Sequence, residues 1–329
     1  MTDLIQLMHS AVIFGTVIML GAVGEIITEK AGHLNLGVPG IMYIGGISGL
    51  VASFFYENSV AEPSGVVSMI LSLTATIIGS GLAGLLYGFL TVTLRTNQNV
   101  TGLTLTIMGG GIANFFGGML SKYAGGVGKI STDAASGAYR AYFTPLTGNS
   151  TSNPLYAIFG YGWMTYVAIA LAVAAHLILK RTRVGLGLRA VGENPATADA
   201  AGINVSKYKY VAIIIGSVIS GLGGLYYTMD YVYGTWIIDG NIEALGWLAV
   251  ALVIFTTWKP VGAIWGAYLF GILYWSYLYI PGLTRQSQEI FKMLPYVVTL
   301  GVLIVVSLRK KKENLPPEHL GLPYFREER

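Results

Sequence analysis

Few side chains in this sequence are of the types that carry chemistry, and the most suggestive group is a glycine-rich run that ends in lysine. Residues 125–130 read Gly-Gly-Val-Gly-Lys-Ile. A phosphate-binding loop needs a particular glycine spacing and a Ser or Thr directly after its lysine. Here the spacing is wrong and Ile130 follows Lys129. The sequence therefore predicts no nucleotide-binding loop in this chain.

Metal and catalytic sites are also not expected. The four histidines, His9, His33, His176 and His319, show no metal-ligand spacing, and the absence of cysteine excludes thiolate sites and disulfides. An enzyme embedded in a membrane would show His, Asp or Glu clustered on facing helix ends, and we find no such cluster.

Polar residues inside apolar stretches are the remaining candidates, and they suit contact with a polar, ring-bearing solute. An acid at membrane depth is a functional candidate by default, although a position at the membrane interface also explains Glu25. Helix capping competes with a solute role for the asparagines, and bonding to the helix backbone competes for the threonines. The candidate path residues are Glu25, Asn35, Asn99, Thr101, Thr104, Asn114 and Phe115.

The composition indicates which elements must position these residues. Of 329 residues, 53% are hydrophobic and 11% are charged, whereas soluble domains carry about 25% charged residues. The 44 glycines suit helices that pack closely in lipid. Long apolar runs argue against a transmembrane β-barrel, and a basic surface stripe for nucleic acid is absent. We predict an all-α membrane protein, a polytopic bundle of transmembrane helices.

About nine apolar segments approach the roughly 20 residues that a helix needs to cross the hydrocarbon core. The seventh is short for a crossing, and glycine-rich stretches within the fourth are poor helix interiors, so the sequence leaves open whether either span is broken. Small residues spaced four apart, such as Ser80, Gly84 and Gly88, predict close helix contacts. The predicted spans are Leu4–Ile27, Val38–Phe55, Val66–Leu94, Val100–Leu120, Ala157–Leu179, Tyr208–Met229, Ala244–Trp258, Val261–Ile280 and Met293–Leu308.

Nine crossings place the termini on opposite sides, and basic residues then indicate the orientation, because cytoplasmic loops are enriched in Lys and Arg. With the N-terminus outside and the C-terminus cytoplasmic, 15 of the 20 basic residues are cytoplasmic. We predict a transmembrane domain over residues 1–308, with a cytoplasmic loop at 181–207, and a cytoplasmic tail at 309–329.

The loop at 181–207 contains a predicted two-turn helix. Asn194 suits an N-cap, Pro195 suits the first helical position, and Gly202 suits the stop. Such a short helix needs support from the bundle or from a partner. Candidate contacts to a partner are Arg189, Glu193, Asn194, Pro195, Asp199 and Gly202. Arg189 and Glu193 could instead pair with each other on an extended helix, and the helix could be an ordinary connection on the membrane surface.

A resemblance to a known family favours the interpretation that this short helix contacts a partner protein. Residues 189–204 read Arg-Ala-Val-Gly-Glu-Asn-Pro-Ala-Thr-Ala-Asp-Ala-Ala-Gly-Ile-Asn and are similar to the coupling segment of ABC-importer permeases serving ribose, branched-chain amino acids and nucleosides. Residues 24–42 resemble the signature of the nucleoside or "simple sugar" branch, and residues 257–267 and 294–300 extend the likeness over nearly the whole chain. His33 and Pro39 depart from that pattern.

The resemblance implies a type II importer permease in the bacterial plasma (inner) membrane. It implies as partners a second homologous permease, an ATPase with two nucleotide-binding modules, an extracytoplasmic substrate-binding lipoprotein and a small-molecule solute, in contact with membrane lipid. No cofactor is implied. Nucleosides are the solute that the resemblance favours, and ribose-like sugars are the alternative. An ion-coupled secondary transporter is the rival class, and it should hide ionisable groups deep in mid-helix, where we identify no convincing candidate.

Overall fold

The chain folds into a bundle of helices. In a computed structural model, the structure describes residues 2–126, 130–141, 155–237, 240–280, 282–309 and 315–325, and these contain no strand. The lysine of the glycine-rich run, Lys129, lies outside the described residues. The helices are α1 (Thr2–Lys30), α2 (Val38–Ser59), α3 (Gly65–Gly88), α4 (Gln98–Tyr123), α5 (Asp133–Tyr139), α6 (Tyr156–Phe159), α7 (Trp163–Arg181), α8 (Arg183–Glu193), α9 (Pro195–Ala200), α10 (Val205–Tyr226), α11 (Asn241–Phe255), α12 (Pro260–Trp275), α13 (Arg285–Lys292) and α14 (Leu294–Arg309).

Eight helical segments among the described residues are long and apolar enough to cross a membrane. They correspond to eight of the nine predicted spans, so the polytopic bundle is confirmed. The remaining predicted span, the seventh, corresponds to α11, which has 15 residues and at 1.5 Å per residue is about 22 Å long. It begins three residues before the predicted start and still falls short of the hydrocarbon thickness.

The fourth span is not broken at its glycines. Helix α4 is continuous from Gln98 to Tyr123, because its glycines serve packing. Gly109 lies against the backbone of Gly40, and Gly117 lies against the indole of Trp236. The irregular backbone lies elsewhere, in single π-helical turns that extend α3 over Phe89–Thr93 and α10 over Tyr227–Tyr231.

Helices α1, α2 and α10 form the most buried part of the bundle, and glycines allow their backbones to touch. A methyl group added to Gly224 on α10 would overlap the carbonyl of Met42 on α2. The predicted small-residue contacts of α3 are confirmed, since Gly84 lies against Ser217 of α10. Such approach is how helices associate where hydrophobic exclusion supplies little driving force.

The outer helices present apolar side chains outward, as contact with lipid requires. Trp265 on α12 is 75% exposed, and Leu308 on α14 is 77% exposed. The ends of the helices define two faces. We call the face with residues 30–37, 94–97, 181–204 and 315–325 the tail face, and the face with residues 59–64, 130–141, 155–162 and 232–237 the far face.

The glycine contact at the centre of the bundle yields a prediction. We expect Gly224→Ala to lower the free energy of unfolding by about 1–3 kcal/mol, because overpacking forces the helices apart. Gly118→Ala on α4 is the control, since a Cβ there meets nothing within 4 Å. Thermal unfolding in detergent measures both, and equal unfolding temperatures for the two variants would contradict the packing analysis.

Candidate functional site

The predicted two-turn helix is present at the tail face as α9. The Asn194 side chain accepts a hydrogen bond from the Thr197 amide at 2.9 Å, and Pro195 occupies the first turn. The chain leaves the helix through Gly202, whose φ of +83° is left-handed. Capping and termination therefore follow the sequence, as predicted.

A second helix, α8, precedes α9, where the sequence indicates only that the two-turn helix could extend backward. Thr182 caps it by accepting a hydrogen bond from the Gly185 amide at 3.1 Å. Leu188 and Val191 on α8 are buried, whereas Arg189 and Glu193 are exposed. The threonine cap and this alternation were the available sequence signals.

Arg189 and Glu193 do not form an ion pair with each other, although both lie on α8. The only ion pair within the described part of the chain joins Lys292 and Glu289. Glu193 instead accepts a hydrogen bond from the Glu318 amide at 3.3 Å. The Arg189 guanidinium is left facing outward.

The bundle and the tail together support α9. Val191, Ala198 and Val205 are buried in one small cluster, with Tyr324 packed against it. The opposite side of α9 is open, and Ala196, Thr197 and Ala200 are exposed there. One side of α9 thus packs against the bundle and the tail, and the other side presents small side chains to solvent.

The tail segment, residues 315–325, crosses the tail face and joins its parts. The His319 amide donates to the Gly192 carbonyl at 3.1 Å, and the Gly321 amide donates to the Gly32 carbonyl at 3.3 Å. The Tyr324 hydroxyl donates to Asp199 of α9 at 2.9 Å. These bonds tie α8 and α9 to the connection between α1 and α2.

That connection, residues 31–37, is held by side chains from three helices. Glu25 of α1 accepts from the Asn35 amide at 2.9 Å, and Gln98 of α4 accepts from the Leu34 amide at 2.8 Å. Tyr87 of α3 donates to the Leu34 carbonyl at 2.7 Å. Four helix ends therefore meet at one irregular segment, and we call residues 31–37 with these side chains the α1–α2 knot.

Two ionisable side chains beside the knot, Glu29 and His33, are buried. Glu29 accepts a hydrogen bond from the Trp258 indole. His33 is 1% exposed, and both its ring nitrogens lack partners. Burial, followed by the nearby side chains of Lys209 and His319, holds the pKa of His33 well below its usual range. His33 is therefore neutral. Among the described residues, no group of three or more His, Asp or Glu side chains could hold a metal ion.

The seven candidate path residues fall into two separate groups. Glu25 and Asn35 are buried in the knot, where they bond to the protein. Thr101 and Thr104 donate to the backbone of their own helix, each at 2.8 Å, which is the competing role anticipated for threonine.

The second group lies on α4. Asn99, Thr104, Asn114 and Phe115 are exposed, and Thr101 is half-buried. A Cβ at Gly111 or Gly118 would meet nothing within 4 Å. The outward side of α4 thus combines polar groups with open notches between its apolar residues.

Sequence reasoning missed one acid in the bundle. Asp230 lies in the π turn after α10 and is 4% exposed, with one carboxyl oxygen unpartnered. The predicted sixth span ends at Met229, one residue earlier. Buried carboxyls thus occur at Glu25, Glu29 and Asp230, each toward an end of its helical segment.

Comparison with known proteins identifies the family of this chain. The family described as "Branched-chain amino acid transport system / permease component" matches residues 7–303. A putative glucose ABC transporter permease, TsgC13 of Haloferax volcanii, is 31% identical over 98% of both chains. The guanosine ABC transporter permease NupQ of Bacillus subtilis is 28% identical over 99% of this chain and 100% of its own.

A nucleoside ABC transporter permease, NupC of Lactococcus lactis, is 29% identical over 88% of this chain and 89% of its own. No solved structure matches the chain significantly. The chain belongs to the branched-chain amino acid transport permease family. It is a membrane-spanning permease subunit of an ABC transporter, and such subunits are not themselves enzymes.

The bond between the tail segment and α9 gives a second prediction. We expect Tyr324→Phe to raise amide hydrogen exchange in residues 195–201 by about tenfold, because a hydrogen bond to a charged acceptor is lost. Hydrogen exchange with mass spectrometry measures it. Tyr123→Phe, at an exposed tyrosine of the far end of α4, is the control. Unchanged exchange in both variants would show that the tail does not support α9.

Proposed function

We propose that this permease takes part in ATP-driven import of nucleosides, together with a second homologous permease. Its family implies an ATPase and a substrate-binding partner. We propose that the ATPase carries two nucleotide-binding modules and that the binding protein is an extracytoplasmic lipoprotein. The observation that carries the proposal is α9, a capped helix supported from beneath and exposed outward at the tail face.

Helix α9 suits the transmission of movement from an ATPase. Its small exposed residues, Ala196, Thr197 and Ala200, suit insertion into a cleft of another protein. Arg189 and Glu193 are exposed beside it and offer charges to the ATPase surface. Asp199 bonds to the tail and Asn194 caps the helix, so their roles are to position α9. Through the knot, a push on α9 reaches α1, α3 and α4 as a rigid-body movement between packed states.

The charge distribution supports a cytoplasmic tail face. Basic residues lie at the helix ends there, including Lys30, Arg95, Arg181 and Lys259. Because cytoplasmic loops are enriched in Lys and Arg, we propose that the N-terminus lies outside and the tail lies in the cytoplasm of a bacterial cell, with the bundle in the plasma membrane.

The outward side of α4 supports a path between two permeases. Polar groups are costly against lipid, but they suit a water-filled route closed by a second subunit. Asn99, Thr104, Asn114 and Phe115 would line this route, and an amide beside an aromatic ring suits a nucleobase. Glu25 and Asn35 are buried and bond within the protein, and Thr101 is half-buried, so these three are weaker candidates.

The solute assignment rests on the relatives. NupQ and NupC are named for guanosine and nucleosides, whereas TsgC13 is named as a putative glucose permease. A sugar is thus the second candidate. We expect vesicles with the full complex to take up labelled guanosine when ATP is supplied, and excess adenosine to compete where excess glucose does not. Competition by glucose would favour a sugar importer, and uptake without ATP would favour a secondary transporter.

The coupling role of α9 gives a third prediction. We expect Ala200→Trp to reduce retention of the ATPase in a detergent pull-down by about tenfold or more, because a bulky side chain at the centre of an interface excludes the partner. Ala61→Trp, an equal enlargement of an exposed alanine on the far face, should retain the ATPase. Equal retention by both variants would remove α9 from the interface.

The path along α4 gives a fourth prediction. We expect Gly111→Leu to lower guanosine uptake by about tenfold or more, since it fills a notch beside Asn114 in a route that depends on exact positioning. Gly301→Leu on α14 is the matched control, because a Cβ at either glycine meets nothing within 4 Å. Equal uptake by the two variants would place the path elsewhere.

A further inference from the structure

A cavity of about 510 Å³ lies at the tail face, between the π turn after α3, the start of α10 and the tail segment. Its volume falls within the range of small-molecule sites. The polar side chains that line it include Arg95, Asp199, Ser206, Lys209 and Tyr324. Neither the coupling role of α9 nor the path along α4 uses this space.

Lys209 in the cavity wall is a buried cation without a counter-ion. It is 3% exposed, and no group among the described residues accepts a hydrogen bond from its ammonium or pairs with it. The ionisable side chains near it, His33 and His319, carry no negative charge. An ammonium on a largely buried side chain is stabilised by an anion. Asp199, the carboxylate in the lining, forms no ion pair with Lys209, so the ammonium is open to an anion that enters the cavity.

Arg95 brings a second cation to the same wall. Its backbone φ of +56° is left-handed, an uncommon conformation for a residue other than glycine. Its guanidinium lies 4.7 Å from the centre of the Phe325 ring, which helps to hold it in place. A planar guanidinium matches the geometry of phosphate oxygens, and a lysine beside it acts as a point charge.

The first turn of α10 adds a third attraction for an anion. Val205 and Ser206 line the cavity and begin a helix of 22 residues. The Asn204 side chain caps the Lys207 amide, so the amides of Val205 and Ser206 remain for a ligand. Helix N-termini favour anions. Asp199 is the carboxylate in the lining, and Tyr324 donates to it.

We propose that this cavity binds a phosphate ester, with Lys209 and Arg95 as its ligands. The volume exceeds what inorganic phosphate fills, so the phosphate carries an organic group. That group belongs either to the headgroup of an anionic lipid or to a soluble ester. The site lies beside α9 and the tail, so its occupant would brace the tail face. The inference does not depend on the importer function and can be tested on this chain alone.

The test compares two sources of phosphate on the full chain in lipid nanodiscs. In discs of phosphatidylcholine, binding of glycerol phosphate is measured by calorimetry. In discs of phosphatidylcholine with or without phosphatidylglycerol, the unfolding temperature is measured. Saturable binding of glycerol phosphate indicates a soluble ester, and a higher unfolding temperature with phosphatidylglycerol and no binding of the soluble probe indicates a headgroup.

Variants of two lysines show whether this cavity is where glycerol phosphate or phosphatidylglycerol binds. We expect Lys209→Met to weaken binding by about tenfold to a hundredfold, because charge-assisted hydrogen bonds are lost, or to abolish the effect of phosphatidylglycerol. Lys209→Met should fold, since an apolar side chain replaces a buried charge. Lys207→Met, at an exposed lysine outside the cavity lining, should behave as the unchanged protein.

Three results would overturn the proposal. The first is that neither probe has an effect on the unchanged protein. The second is an effect that survives Lys209→Met, and the third is an equal loss in Lys207→Met, which would indicate general attraction of anions to a basic membrane surface.

Discussion

The structure depends on the α1–α2 knot, where an irregular backbone segment lies among helix ends. A peptide group without a hydrogen bond is costly away from water, and irregular backbone near membrane depth survives only inside protein or beside water. Glu25, Tyr87 and Gln98 supply the bonds that residues 31–37 cannot make among themselves. This requirement binds α1, α2, α3 and α4 at one place.

The knot also explains how a short exposed helix can act on a large bundle. Residues 315–325 bond to the knot at Gly32, to α8 at Gly192 and to α9 at Asp199. A two-turn helix alone in water would not persist, but here it is fixed to the ends of the large helices at the tail face. A rigid connection of this kind is what a permease needs if ATP is used by another subunit.

The sequence was sufficient for features that depend on local chemistry. Apolar length located the membrane-spanning helices, and Asn194, Pro195 and Gly202 located α9. Features that depend on contacts distant in sequence were not predictable. The tail bonds to residues more than 120 positions away, and Glu25 reads as an isolated acid until Asn35 is placed beside it. Glycines in α4 suggested a break because their packing partners on α2 were unknown.

The candidate path was predicted less well for the same reason. Residue type indicates that Thr101, Asn35 and Asn114 are polar, but only the fold shows which of them have partners within the protein. Lys209 is the converse case, since it reads as one of several cytoplasmic lysines, at the start of the sixth predicted span, although its side chain is 3% exposed. Burial of an ionisable group is a property of the tertiary structure, and the sequence carries no direct signal for it.

The most direct test of the account is site-directed cross-linking through α9 in native membranes. The chain has no cysteine, so Thr197→Cys and Ala61→Cys each introduce a single reactive site, one on the tail face and one on the far face. A cysteine at 197 is expected to cross-link to an ATPase and to resist a membrane-impermeant thiol reagent added outside. A cysteine at 61 is expected to react with that reagent and to form no ATPase adduct. Labelling of position 197 from outside, with no ATPase adduct, would contradict the account.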